Sequence, residues 1–484
     1  MPQCSIVKSR SPYLWLMSLY AAIFLFYAET LAFTLDEGYH LLAAQLIRAG
    51  KTPYLDFCFP QTPLNAYWNA LWLGVLGHSW RGPHLLAALA TLAAVALTAD
   101  YVLRRFPVES WRVPAAMAVV LAMGLNGALF PYGPVQAYGM CLLGVTAAFR
   151  FAVSAVESGR LLYAAGAGLA AGIAAGSSLL TAAAAPVLLV WLAYYQAGRR
   201  WKVFAAFSVG VALPFAPVLW LFARGPSQTW FNIVRYHAFY RRLYWPETTQ
   251  HDLEILTSWI GDGQALILGL LALGGLLYIV RRGGWAPGLR AEFYLCAWLA
   301  AALATEIGRA HPTFSRYFLL TVPFLSILGA AGLYALSSAL DLQASRWPVA
   351  VLGILMATGL GRTLYERNRD LDTWQPYERL AAKINQVTPP GAPLLTVEAL
   401  YFLTRRTPPS GYELASYTHR LELPPEEMAS FHLLDEQQVK RQVQSGQFAT
   451  VYSCDSDQIE DWGLRSLYRQ SVEMESCTIF WDRK

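Results

Sequence analysis

The sequence predicts an all-α polytopic membrane protein with a small α/β domain at its C-terminal end, and three observations carry that prediction. Hydrophobic residues make up 55% of the 484 and charged residues only 14%. A soluble domain uses about 25% charge, so this chain cannot keep its whole surface in water. The apolar runs are continuous rather than alternating, which selects spanning helices over a closed barrel. Charge is divided unevenly, net +10 over residues 1–362 and net −5 over residues 363–484. A membrane module at 1–362 followed by a soluble domain at 363–484 accounts for that division. The composition excludes disorder. No basic run interleaved with aromatics sits on a soluble module, so no nucleic-acid partner is expected.

A crossing helix needs roughly 20 apolar residues. The first covers 13–33 and lacks a small-residue cleavage site at its end, so it reads as an uncleaved helix. Lys8 and Arg10 before it place the N-terminus in the cytoplasm. The outer loop 34–82 holds two amphipathic pieces, 37–49 and 63–76. The second is about 14 residues long, with Asn65 and Asn69 on one face, and reads as a helix lying in the interface. If it does not cross, helix 83–103 runs inward and Arg104, Arg105 and Arg112 reach the cytoplasm, as the positive-inside rule prefers. Further spans are expected at 113–130, 135–156, 160–176, 178–197 and 203–222. After an outer loop at 223–262 come 263–280, 291–308, 317–337 and 347–362. That makes about eleven crossings and leaves the tail outside. Small residues over 160–197 would let helices pack closely. Asp100 and Arg104 are spaced to pair. Arg150, Glu292 and Glu306 lie near helix ends, where snorkelling to the surface is the expectation.

The tail reads as a helix ended by the Pro-Pro-Gly at 389–391, then short β-like runs in PLLTVE, FATVYSC and SCTIFWD. The six cysteines show no metal-ligand spacing. Cys454 and Cys477 share the tail and read equally as a disulfide or as two free thiols.

Chemistry concentrates in the first outer loop. Asp36 and Glu37 leave the first span as adjacent carboxylates. One reading makes Asp36 the N-cap of the helix that follows. The other makes it a general base, because a carboxylate beside a low-dielectric slab gains basicity. Cations stand at other outer positions: Arg81, then Arg235, His237, Arg241 and Arg242 in WFNIVRYHAFYRRLYW, and Arg316 with His311 and Tyr317 in HPTFSRY. Each of these also fits an arginine or histidine anchoring to lipid headgroups.

The stretch DEGYHLLAAQLIRAGKTPYLDFCFPQTPL, with Asp36-Glu37, Gly50, Pro53-Tyr54, Asp56 and Pro63, resembles the first-loop pattern of membrane glycosyltransferases of the GT-C fold. It is similar to the family-39-like branch that holds aminoarabinose transferases, protein O-mannosyltransferases and rhizobial lipopolysaccharide sugar transferases. The resemblance implies sugar transfer with inversion from a polyprenyl-phosphate donor to a lipid, glycan or protein acceptor. It places the reaction on the outer face of a membrane, by analogy a bacterial inner membrane. It implies Asp36 as catalytic base with Glu37 beside it, and Arg81, His237, Arg241 and Arg316 on the donor phosphate. Tyr54, Asp56, Gln136 and Tyr317 would line the substrate pocket. The chain departs from the pattern at Gln136, where metal-using relatives carry an acid. The resemblance makes no cofactor certain, and a divalent cation (Mg or Mn) stays an option weakened by the missing acid. Two other classes fit the composition. A flippase of lipid-linked sugars would need ionisable groups near the bilayer midplane. A non-catalytic membrane scaffold would bind partners through its tail.

Overall fold

The computed structural model describes residues 3–241, 248–281, 285–368, 373–413, 421 and 423–484. In chain order the helices begin with α1 (Gln3–Thr30), α2 (Leu35–Arg48), α3 (Leu64–Val75), α4 (Arg81–Arg105), α5 (Arg112–Gly124) and α6 (Leu129–Tyr132). Next come α7 (Tyr138–Ser158), α8 (Leu161–Ser177), α9 (Ala184–Tyr195), α10 (Arg200–Ala212), α11 (Ala216–Arg224) and α12 (Pro226–Trp230). The series ends with α13 (Thr248–Gly261), α14 (Gly263–Arg281), α15 (Pro287–Arg309), α16 (Val322–Ala339), α17 (Trp347–Asn368), α18 (Trp374–Val387) and α19 (Glu398–Thr404), followed by short tail helices. Two compact units emerge. One comprises Met1–Ala32, His84–Ala216 and Glu247–Leu371; the other comprises Phe33–Pro83, Pro217–Pro246 and Asp372–Lys484.

The first unit is a bundle of apolar helices. Seven helices among the described residues are long and apolar enough to cross a membrane: Ser11–Thr30, Arg81–Arg105, Tyr138–Ser158, Gly263–Arg281, Pro287–Arg309, Ser315–Ala339 and Trp347–Arg367. Large apolar side chains such as Trp15, Phe26, Trp298 and Ile354 stand exposed on them, a surface that hydrocarbon accepts and water does not. The chain is an integral membrane protein. An eighth candidate is the pair Leu179–Tyr195 and Ala197–Ala212, bent by 102°. The expected span at 113–130 divides after Gly124. There the Asn126 side-chain oxygen accepts from the Ala128 and Leu129 amides, both at 3.0 Å, and so starts α6.

Helices meet backbone to backbone where glycine allows it. A Cβ on Gly332 of α16 would stand 1.9 Å from the Leu271 carbonyl oxygen of α14. Asp100 pairs with Arg104 at 2.7 Å as expected, and Arg150 joins them at 3.0 Å. Glu292 corrects its expectation: it is buried, not snorkelled, and takes Arg105 and the Tyr101 hydroxyl as partners. A buried carboxylate needs such donors.

The second unit joins the 33–83, 217–246 and 372–484 segments. Its sheet has the order β1-β2-β4-β3, with β1 (Leu394–Leu395) parallel to β2 (Thr450–Ser453) and β4 (Cys477–Arg483) antiparallel to both β2 and β3 (Tyr468–Met474). β3 escapes the sequence reading because it is a polar edge strand. Its hairpin turns on Glu475 and Ser476, both at positive φ, without the usual Asn-Gly signal. Cys454 and Cys477 form a disulfide, which resolves the two readings above. α18 ends before the Pro-Pro-Gly turn, whose carbonyls at Thr388, Pro389 and Ala392 accept from the Arg406 guanidinium at 2.8–3.2 Å.

Candidate functional site

The acid pair opens α2. Thr34 holds the N-cap position in extended conformation without a side-chain cap bond. Asp36 lies inside the first helical turn, so it is not the N-cap that one sequence reading made it. Both acids gain from the positive end of the helix dipole. They differ in access: Asp36 is half-buried, whereas Glu37 is 2% exposed. Between them and the rest of α2 sits Gly38. A Cβ there would stand 2.6 Å from the Ala399 amide nitrogen of α19, so glycine lets the acid-bearing turn lie directly on the tail. One turn beyond Asp36, His40 is buried against the rings of Tyr39 and Phe59. Burial pushes its imidazole down to about 4, and Asp36 opposes that shift without cancelling it.

The loop after α2 is pinned from within. Tyr54 is completely buried with φ 69°, and its hydroxyl donates to the Gln61 carbonyl at 2.5 Å. Asp56 is exposed and accepts from the Thr52 amide at 2.6 Å. A π-helix, Phe231–Tyr240, docks on this loop. Its buried Asn232 accepts from the Phe59 amide at 2.7 Å, and His237 Nε2–H donates to the Pro60 carbonyl at 2.8 Å. Burial, with Arg241 nearby, lowers His237 to about 4. His237 therefore brings no positive charge at neutral pH, and Nδ1 is left as an acceptor. Arg241 is half-buried at the end of the π-helix. Arg235 bonds Glu427 at 3.1 Å and the Tyr240 hydroxyl at 2.9 Å, and Arg242 lies outside the described residues. Arg81 lies over the Trp80 ring at 4.3 Å and pairs with Glu378 of α18 at 3.3 Å. Glu378 also accepts from the Trp80 indole at 2.9 Å, and Trp80 stacks on Trp374.

Arg316, Tyr317 and Gln136 belong to the helical unit. The turn before Arg316 is tied to α13, where buried Asp252 accepts from the Thr313 amide at 2.7 Å and from His311. The Arg316 guanidinium lies 4.4 Å from the Phe314 ring centroid, 5.6 Å from that of Tyr317 and 6.0 Å from that of Tyr132. A cavity of about 630 Å³ opens beside it, lined among others by Asn126, Tyr132, Trp259, Gln264, Arg316 and Arg362. Gln264 holds its wall, donating to the Leu125 and Met356 carbonyls and accepting from the Gly127 amide. Gln136 is half-buried at φ 54°.

The second unit thus gathers Asp36, Glu37, Tyr54, Asp56, Arg81, His237 and Arg241. Sequence reasoning missed His40, Asn232, Asp252 and Gln264. For His40, Asn232 and Gln264 the signal was a polar residue in or at the edge of an apolar or aromatic run, whereas Asp252 lies in the polar stretch ETTQHDLE and carried no such signal. Among the described residues no three His, Cys, Asp or Glu side chains stand together as a metal site. Gln136 supplies an uncharged amide at its position.

No protein-family model matches the chain, and no curated protein matches it in sequence. Solved structures do. ArnT from Cupriavidus metallidurans bound to undecaprenyl phosphate aligns with a TM-score of 0.65 and 15% identity, over 97% of this chain and 98% of that one. The same protein in the apo state gives 0.68 and 14%, with 98% of each chain covered. The apo oligosaccharyltransferase of Archaeoglobus fulgidus gives 0.53 and 11%, over 93% of this chain and 70% of that one. The same archaeal enzyme, AglB, is also known in complex with an inhibitory peptide and a dolichol-phosphate. The chain has the GT-C fold that ArnT has, from end to end.

Proposed function

We propose that the chain is an inverting glycosyltransferase that moves a sugar from a polyprenyl-phosphate donor to a lipid, glycan or protein acceptor outside the membrane. The observation that carries this reading is the acid pair at the start of α2, with Asp36 accessible and Glu37 buried, in a chain with ArnT's fold. Undecaprenyl phosphate in ArnT and dolichol-phosphate in AglB support an isoprenoid phosphate as the donor's lipid. Asp36 would take the proton of the acceptor hydroxyl as its oxygen attacks the anomeric carbon, and the lipid phosphate would leave from the opposite face. Glu37, buried beside it on the same turn, would complete the acid pair. Arg81 and Arg241, which belong to the same unit as Asp36, would supply charge to the departing phosphate. His237, neutral, serves by hydrogen bonding alone. Tyr54 and Asp56 act through the loop they pin. No step is routed through a metal. The Cys454–Cys477 disulfide supports an oxidising compartment for the tail, hence an outer location.

The test is Asp36→Asn in the purified chain with an undecaprenyl-phosphate sugar as donor. Transfer is expected to fall by about 10²–10⁴-fold, the range for losing a general base. Turnover equal to the parent would remove Asp36 from the mechanism.

A further inference from the structure

Buried polar groups gather on α2 and α3, the helices next to the acid pair, and the reading above gives them no role. The two helices belong to one unit and pack side by side. Leu41 and Ala44 of α2 share an apolar cluster with Ala70 and Leu73 of α3, and the Arg48 guanidinium donates to the Ala70 carbonyl at 3.4 Å. Asn65, Asn69 and Trp72 fall within an arc of about 60° on α3, so they form one stripe. Asn65 is 2% exposed and Asn69 is 6% exposed. The Asn65 Nδ2 and Trp72 Nε1 atoms are buried and have no hydrogen-bond partner among the described residues. On α2, His40 lies one turn from Asp36 on the same face. It is buried, and its Nδ1 likewise has no partner among the described residues.

Burying a polar group without a partner is costly, and leucine would fill these places at no such cost, as Leu73 does beside Trp72. The chemistry on offer is of one kind. Two carboxamides and an imidazole held neutral by burial each combine a donor with an acceptor, and the indole adds a donor. A hydroxyl also both donates and accepts, so a ring that carries several hydroxyls matches this set. The Trp72 ring meets Trp68 edge-on with centroids 5.4 Å apart, which fixes the direction of its N–H. Aromatic walls with a few placed polar groups are the usual make-up of a small-molecule site. None of the four residues brings charge. A carboxylate on the ligand would meet the acid pair with no cation among them, and an ammonium would be drawn to the acid pair instead.

We propose that His40, Asn65, Asn69 and Trp72 form a subsite that holds the hydroxyls of the transferred sugar, and that this sugar is uncharged. The subsite rests on the glycosyltransferase reading and deepens it by naming the class of sugar. It also explains why the stripe is polar: the ligand completes hydrogen bonds that the chain alone leaves unmade, and a sugar lacking the matching hydroxyl is rejected because those groups stay unpaired.

Equilibrium binding to the full chain in lipid nanodiscs reads the sugar apart from its lipid. The probes are undecaprenyl phosphate alone and undecaprenyl phosphate bearing glucose, mannose, galactose, xylose, glucosamine or glucuronate. At least one uncharged sugar is expected to bind about tenfold or more tighter than the bare lipid, the scale of two neutral hydrogen bonds. Asn65→Leu with Asn69→Leu should abolish that gain and leave the bare lipid bound as in the parent. Trp72→Phe keeps a ring beside Trp68 and loses the N–H, and it should reduce the gain by about three- to tenfold. It covers the case in which the leucine variant does not fold. Stability without ligand gives a second readout. Asn65→Leu should leave the melting temperature unchanged or raise it, because it removes an unpaired buried group. A lower melting temperature would make the amide structural and overturn the proposal. So would a gain that survives in the leucine variant and in Trp72→Phe, the absence of a gain for every uncharged sugar, or a larger gain for glucosamine or glucuronate. Failure of the functional reading looks different: Asp36→Asn would transfer sugar like the parent, whatever Asn65 does to binding.

Discussion

α14 and α16 meet in the helical unit with backbone against backbone at Gly332 and Leu271. In the unit built from the 33–83, 217–246 and 372–484 segments, buried contacts run instead through polar side chains: Asn232 to Phe59, His237 to Pro60, Glu378 to Trp80. The contrast follows from solvent. Between helices in lipid, close packing of small residues is the main attraction available. A unit whose surface carries more charge gains from burying apolar surface, and every polar group it buries must then find a partner. The helical unit should therefore be sensitive to volume, and the other unit to chemistry.

Substitutions can break or sharpen that contrast. The largest expected effect is chemical: Asp36→Asn should remove about 10²–10⁴-fold of sugar transfer while leaving the thermal transition in place, read by a transfer assay beside a melting curve. Gly332→Leu should be the severest steric change, because a backbone carbonyl cannot move aside as a side chain can. A loss of about 3 kcal/mol or more is expected, seen as lost monodisperse protein in detergent. Gly332→Ala should do less, and parental stability in both variants would contradict a contact set by shape.

The disulfide ranks next. Cys454 and Cys477 close a loop with a sequence separation of 23, which predicts about 3 kcal/mol of stabilisation. Cys454→Ser with Cys477→Ser, or reduction of the parent, should lower the melting temperature, and an unchanged transition would refute it. The mildest is a pH effect. The His40 imidazole titrates at about 4 in the folded chain, against 6.5 ordinarily. The unfolded chain binds that proton first, so stability should fall as pH drops from about 6.5 to about 4 and flatten below. The full effect is on the order of 3 kcal/mol. His40→Gln should flatten the pH profile of unfolding, and an unaltered slope would show that His40 is not its source.

Legibility differed between the units in the same way. Seven of the roughly eleven expected spans coincide with helices long and apolar enough to cross, because lipid imposes length and apolarity, whereas the expected spans at 113–130, 160–176, 178–197 and 203–222 do not each give such a helix among the described residues. The predicted class, an α-helical membrane protein with a small C-terminal sheet, is the one observed. Internal breaks were not. Asn126 looks like one polar residue in an apolar run, and only its bonds to two amides reveal a new helix start. The acid pair was legible as a motif, yet its division into a half-buried Asp36 and a buried Glu37 was not, nor was the close approach of the adjacent Gly38 to Ala399, some 360 residues away. Charge misled in one respect. Arg81 and Arg235 read as free cations, but each carries a carboxylate from the tail. His237 read as a cation and is held neutral by burial. A side chain's charge state depends on neighbours that the local sequence does not display.

Trp80 and Trp374 lie with ring centroids 5.3 Å apart and planes 8° from parallel. Indoles this close share their electronic excitation, so the pair should contribute a two-signed band to circular dichroism. One indole comes from the first outer loop and the other from the tail, so the band exists only while those distant segments are joined. Trp374→Phe would erase it, which gives this part of the molecule an optical signature of assembly that needs no label and no substrate.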